Sequence, residues 1–288
     1  MPSTRDIRRR IKSVKNTAQI TKAMQMVASA KMRKAQSVAL AGRPYASLMT
    51  DVLAAAVAGA GEFSHPLMER REIKKRAVIL VSTDKGLCGA LNTNLLREAA
   101  KFDKNTTVFV TAGRKAAQWA ARAKRDLAAE FSYKDIPQFA EARAISRCAR
   151  DLFLEGKVDE VSILYSRFIT TLTQKPEVRP LLPLAELTGF GPKGEPVELK
   201  PTAQEFLFEP NPAGVLGSLL PKYLDYVVYQ ILLESKASEQ SARMVAMKNA
   251  TDNAKQLIKD LTLEYNKLRQ ANITKELLEI TSAAMAMG

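Results

Sequence analysis

The sequence predicts an α/β protein in which two long terminal helices pair as an antiparallel coiled coil and an α/β domain is inserted between them. Three observations predict it. Residues 3–41 and residues 222–287, the second a run of 66, contain neither Gly nor Pro, the strongest breakers of helices. Both stretches carry apolar residues at a spacing near 3.5. Between them, short β-branched runs alternate with helical stretches, the pattern of βαβ units.

The N-terminal stripe runs through Ile7, Ile11, Val14 and Ala18, then continues, shifted, through Ile20, Met24, Val27 and Ala28 to Met32 and Ala35. The C-terminal stripe uses Ile231, Ala237, Met244, Val245, Leu257, Ile258, Leu261, Tyr265, Leu268 and Ile280. Ala, Met and Thr fill many of these positions, which suits an irregular two-helix coiled coil with close backbones. At about 1.5 Å per residue, the second segment alone is a helix of about 100 Å. That exceeds any domain this chain could build, so the helix must be partnered along its length. It is also the longer of the two, so its C-terminal tip should overhang.

The middle differs in kind. Arg76–Ser82 (RAVILVS) reads as a strand, Ala90–Phe102 as a helix and Thr106–Thr111 (TTVFVT) as a second strand. Arg114–Lys124 and Phe139–Leu154 read as helices, and Val158–Tyr165 and Phe168–Thr173 as strands. Residues 176–214 hold eight of the thirteen prolines and read as a long loop or rim. The expected organisation is an N-terminal coiled-coil helix over 1–58, a Rossmann-like α/β domain with its rim over 74–214, and a C-terminal coiled-coil helix over 215–288.

Composition bounds the function. Of 288 residues, 46% are hydrophobic and 26% charged, ordinary for a globular protein. Lys+Arg 44 against Asp+Glu 30 leaves +14, which speaks of partners rather than fold. Residues 1–45 hold eleven basic residues and one acid, Asp6, so +10 of that charge lies on the first helix. Basic residues and apolar seam share this helix, with no separate leucine ladder and no interleaved aromatics. A basic coiled-coil nucleic-acid-binding protein is the alternative that this charge allows. The two cysteines, Cys88 and Cys148, form no disulfide framework. No apolar run approaches the roughly 18 residues of a membrane span.

Candidate chemistry is sparse. Ser82-Thr-Asp-Lys-Gly-Leu-Cys-Gly89 follows a strand and opens a helix, a place that suits phosphate. It lacks both the G-x-G-x-x-G spacing and the Gly-Lys-Ser/Thr of a P-loop, and reads as a tight turn. Cys88 would need a base, and the only histidine, His65, lies in a turn before Pro66. One His and two distant Cys make no zinc set. The carboxylates Asp225, Glu234, Glu239 and Asp252 lie among Lys and Arg at helical spacing and read as ion pairs. No catalytic residue, cofactor or metal is expected.

Four motifs then carry a resemblance. Arg10-Ile-Lys-Ser-Val-Lys-Asn-Thr17 with Ile20-Thr-Lys-Ala-Met-Gln-Met-Val-Ala28 resembles the N-terminal signature of the F-type ATP synthase gamma subunit family, bacterial type. Ser82–Gly89 resembles that family's internal motif. Ser238–Met247 with Ala250–Ala254, and Tyr265–Glu276, resemble its C-terminal signature. The motifs follow the family's order through the whole chain, and they start near residue 7, leaving no room for a transit peptide. The chain departs from the family at Ala90, Phe206, Phe208 and Ser282–Ala284.

The resemblance implies a peripheral protein of the bacterial cell membrane on its cytoplasmic side: the central-stalk rotor that carries torque between ion flow through a c-ring and ATP chemistry on an alpha/beta hexamer. Partners would be the alpha, beta and epsilon subunits and the c-ring, with one copy per complex and catalysis on beta. Met24, Lys22, Lys31 and Arg33, together with Arg269, Gln270 and Thr274, would meet the beta subunit. Met24 could equally pack the seam. Phe206, Phe208 and Glu209 would meet the c-ring, or the two rings could pack on each other.

Overall fold

The computed structural model describes residues 3–60, 63–184, 188–190, 196–198, 206–209 and 211–287. The chain divides into two compact units, one of Met1–Ala28 with Arg243–Gly288 and one of Ser29–Ala242. Two helices contribute to both: α1, Thr4–Ala41, and α6, Pro212–Met287, the latter 76 residues without interruption.

The first unit is a helix pair. On α1, Ile7, Thr21 and Ala28 are buried and Ile11, Val14, Ala18 and Gln25 half-buried, a strict 3-4 alternation. On α6, Met247, Thr251, Ala254 and Leu261 are buried and Ile258 and Tyr265 half-buried, in the same rhythm. The Thr21 and Thr251 hydroxyls meet across the seam at 2.7 Å, and Arg8 donates to the Tyr265 hydroxyl. Stepping back from Thr21 to Arg8 on α1 steps forward from Thr251 to Tyr265 on α6, so the helices are antiparallel.

The shift expected after Ala18 does not occur. Ile20 is 60% and Val27 55% exposed, and Leu257 and Ile280 are exposed as well. The heptad rhythm holds because Thr21 takes the seam position, and its hydroxyl is satisfied by Thr251 and the carbonyl of Ala18. A polar seam residue with a partner does not interrupt the stripe.

The second unit is built on a five-stranded sheet ordered β3-β2-β1-β4-β5, comprising β1 Arg76–Val81, β2 Thr107–Ala112, β3 Asp126–Phe131, β4 Glu160–Phe168 and β5 Gln174–Leu182. β5 runs antiparallel to β4 and the other pairs are parallel. Helices α3 (Leu91–Ala100) and α4 (Arg114–Arg122) cover one face. Helices α2 (Arg43–Ala60), α5 (Phe139–Leu154) and the first part of α6 contribute to the core on the other. Strand β1 alternates between them, with Val78 and Leu80 to one side and Ala77, Ile79 and Val81 to the other. Burial on both faces is what makes RAVILV continuously apolar. A small sheet of β6 (Thr188–Phe190) and β7 (Pro196–Glu198) lies against α2.

Four expectations are corrected. Asp126–Phe131 (DLAAEF) is a strand although its composition disfavours one. It is an edge strand, alternately exposed and half-buried, defined by pairing with β2. Residues Phe168–Thr173 are not a separate strand. β4 ends at Phe168, and the Thr170 hydroxyl accepts the N–H groups of Leu172 and Thr173 in a turn. β5 then occupies part of the segment expected to be loop, and its prolines, Pro176 and Pro180, are tolerated because the strand is at an edge. Most of that segment between 185 and 205 lies outside the described residues. Finally, the N-terminal helix breaks at Gly42, whose carbonyl accepts the Tyr226 hydroxyl at 2.9 Å, and α2 starts beside Pro44.

Within this unit α6 is buried on nearly every side from Tyr223 to Ser241. It carries buried polar groups there. Glu234 Oε1 accepts the Phe168 N–H at 3.1 Å, and burial pushes its carboxyl up to about 7, against that hydrogen bond and Arg167.

Two predictions follow from this packing. Replacing Thr251 by Val leaves the Thr21 hydroxyl with one partner fewer and should cost about 1 kcal/mol, whereas the same change in a Thr21→Val background should cost much less. Denaturant unfolding of the four proteins measures the difference. Glu234 binds a proton more readily folded than unfolded, so its contribution to stability should fall as pH rises from 4.5 towards about 7, by roughly 1 kcal/mol per pH unit, and flatten above. Thermal melts of the protein and of Glu234→Gln should run close together near pH 4.5 and diverge as pH rises towards 7, the parent losing stability; parallel curves would sink the assignment.

Candidate functional site

The residues that the motifs single out fall on exposed helix faces, on a turn and on a short aromatic segment. In the helix-pair unit, Met24 is half-buried beside the seam. Lys22 is exposed, and exposed Ile20, Met26 and Val27 lie within the same turns of α1. At about 100° per residue, Met26 shares the face of Lys22, whereas Ile20 and Val27 lie about 160° and 140° around the helix from it.

Arg269, Gln270 and Thr274 are all exposed. They belong to a stretch, Arg269–Met285, in which every residue is exposed although the backbone is helical throughout. Ile273, Leu277, Leu278, Ile280 and Met285 put large apolar groups on it. The overhang expected from the unequal helix lengths is present. The last two residues of the uncharged tip, Met287 and Gly288, together with Ala286, are not described at side-chain level.

Lys31 and Arg33 lie on the part of α1 that belongs to the α/β unit. Lys31 is paired with Asp135, on the loop between β3 and α5, and this hydrogen bond holds the Asp135 carboxyl below the ordinary carboxylate range. Arg33 donates to Ser29 Oγ at 3.2 Å. Sequence reasoning missed Asp135 because its partners are 104 and 101 residues away, at Lys31 and Lys236. Phe206 and Phe208 are half-buried with ring centroids 6.2 Å apart, and Phe208 packs on the core. Glu209 is exposed beside them. Aromatic packing thus occurs, while Leu207, 91% exposed, points the segment's apolar surface outward.

The Ser82–Gly89 turn opens α3 and gives its oxygens to the start of the neighbouring helix α4. An anion at a helix N-terminus needs N–H groups directed at it. At α4 those groups are used: Arg114 N–H donates to Asp84 Oδ1 (2.9 Å), Lys115 N–H to the Thr83 carbonyl (3.1 Å) and Ala116 N–H to Ser82 Oγ (2.8 Å). The Tyr133 hydroxyl donates to the Ser82 carbonyl at 2.9 Å, and burial drives its phenol well above the usual range. Gly113 permits the approach, since a Cβ there would lie 2.3 Å from the Ser82 carbonyl oxygen. Cys88 is buried and receives a hydrogen bond from Asn92 Nδ2 at 3.3 Å. His65 is engaged elsewhere, its Nδ1 accepting the Leu67 N–H. The turn bends through Leu87 (φ +62°) and Gly89 (φ +61°), and Ala90 has an ordinary negative φ.

Among the described residues, no group of three or more His, Cys, Asp or Glu is placed to hold a metal, and no helix is long and apolar enough to cross a membrane.

Residues 3–287 match the family described as ATP synthase. The ATP synthase gamma chain of Opitutus terrae is 49% identical over 297 residues, with 99% of each chain covered. That of Methylacidiphilum infernorum is 48% identical over 295 residues, with both chains covered completely. Among solved structures, a chain of the Euglena gracilis mitochondrial ATP synthase (OSCP/F1/c-ring) shares the fold, with a TM-score of 0.67 at 20% identity, covering 99% of this chain and 94% of its own. This chain belongs to the ATP synthase gamma chain family.

Proposed function

We propose that this chain is the central-stalk rotor of an F-type ATP synthase: a non-catalytic subunit that carries torque between ion flow through a membrane c-ring and ATP synthesis or hydrolysis on an alpha/beta hexamer. It supplies no active site of its own. One observation carries the reading beyond family membership. Seventeen residues, Arg269–Met285, are helical yet exposed on every side and rich in apolar groups. A single helix of that length is marginal in water, and its apolar surface invites a sleeve. A hexamer with a central channel is such a sleeve.

In this reading Met24, Lys22, Lys31 and Arg33 pass an acidic surface of the beta subunit. Arg269, Gln270 and Thr274 make polar contact with a loop of beta. Lys31 shares its charge with Asp135, which leaves Lys22 and Arg33 as the more accessible positive groups. Phe206, Phe208 and Glu209 face the c-ring, and the epsilon subunit binds the α/β unit. Membrane association, on the cytoplasmic side of a bacterial cell membrane, runs entirely through these partners.

Native mass spectrometry of the assembly captured from detergent-solubilised membranes tests the reading. The expected particle holds three alpha, three beta and one copy of this chain. A lone chain, or one carrying nucleic acid, would overturn it. Within the assembled complex, Ala283→Lys with Ala284→Lys should lower coupled ATP synthesis about tenfold, because two charges enter an apolar collar. Unchanged synthesis would remove the collar from the account.

A further inference from the structure

Between Asp225 and Ser241, helix α6 is buried in the α/β unit, its Val227, Ile231 and Leu232 in one apolar core with Ile79, Ile145 and Ile163. Apolar burial is non-directional. A helix held only in this way has nothing specific to stop it from turning about its own axis under torque. Hydrogen bonds differ, since they weaken steeply once the donor is misaligned.

The charged groups of α6 and Ser241 fall on two opposite sides, and between them the Tyr226 hydroxyl, about 100° from Asp225, donates to the Gly42 carbonyl. At about 100° per residue, Lys236 lies about 20° and Glu239 about 40° from Asp225, while Glu234 and Ser241 lie about 180° and 160° away. On the first side, Asp225 is 3.8 Å from the Arg150 guanidinium on α5. Lys236 Nζ is 2.9 Å from Glu239 and 3.7 Å from Asp135, and lies 5.1 Å from the centre of the Tyr133 ring. On the second side, Glu234 accepts the Phe168 N–H, and Ser241 Oγ donates to the Thr171 carbonyl at 2.7 Å. Those acceptors and donors belong to the β4–β5 turn. The first group belongs to α5 and to the loop before it, where Asp135 also holds Lys31 of α1.

We propose that these groups form a two-sided key, with Asp135 and the β4–β5 turn as the torque-bearing contacts that stop α6 from turning inside the α/β unit. The inference rests on the rotor reading. Ion pairs, whether buried like Asp225–Arg150 or with one partner exposed like Lys236–Asp135, are poor sources of stability. Their use here is to fix an angle: rotation of the helix breaks the hydrogen bonds of Glu234 and Ser241 on one side and separates the ion pairs on the other. Asp135 and Ser241 are positioning residues, not partner contacts.

The test uses the intact synthase reconstituted in vesicles, with Asp135→Ala, Ser241→Ala and the double variant. ATP-driven ion pumping is measured at zero opposing gradient and then against an increasing one. Unloaded hydrolysis and pumping should match the parent. Near the maximal gradient, the ions retained per ATP should fall, with slip rising about fivefold for each directional bond removed. Asp135→Glu, which keeps the charge, should restore the parent's loaded behaviour. A merely structural role would lower melting temperature and unloaded activity without a dependence on load, and that pattern would overturn the key. So would load curves identical to the parent's in the double variant. If the double variant fails to assemble, Ser241→Ala, which removes one hydroxyl, decides alone by the same criterion. Absence of the chain from an alpha/beta particle is detected before any load is applied; it would overturn the rotor reading and the key together.

Discussion

A helix of 76 residues cannot cover itself, and α6 sets the terms for the rest of the chain. An isolated helix takes most of its stability from packing rather than propensity. Each stretch of α6 therefore needs a different neighbour. In one unit it lies within an α/β core, where it is buried almost all round and carries polar groups among the apolar ones. In the other it pairs with α1 along a heptad seam. Past Leu268 it has neither, and its surface there is exposed and apolar. The three environments account for the three kinds of sequence along one helix.

Polar residues divide the labour with the apolar ones. At the seam, Thr21 and Thr251 satisfy each other and leave the apolar rhythm intact. In the α/β unit, the charges of α6 reach Asp135, Arg150 and the end of β4. The Ser82–Gly89 turn shows the same economy. Oxygens of Asp84, Thr83 and Ser82, on the turn that leads into α3, take the first N–H groups of α4. A nucleotide-type architecture is thereby used as a rigid body.

The exposed groups complete the picture. Lys22, Arg269, Gln270 and Thr274 are displayed rather than paired within the core, and apolar Ile20, Met26 and Val27 lie near the first of them. Bare apolar area and positive charge are thus both turned to the surroundings of the helix pair.

The sequence by itself determined the parts whose signal is local. Gaps without Gly or Pro marked both long helices, continuous β-branched runs marked β1, β2 and β4, and motif order along the chain pointed to the family. Tertiary structure decided what depends on a neighbour. DLAAEF becomes β3 through its pairing with β2, and the proline-bearing β5 is a strand because it occupies an edge. Ile20 and Val27 look like seam residues, yet Thr21 takes the seam because Thr251 stands across from it. Asp135 is an ordinary loop carboxylate until Lys31 and Lys236 are brought to it. Periodicity is written in one segment at a time, whereas the partner of a hydrogen bond or a strand edge is chosen only when distant segments meet.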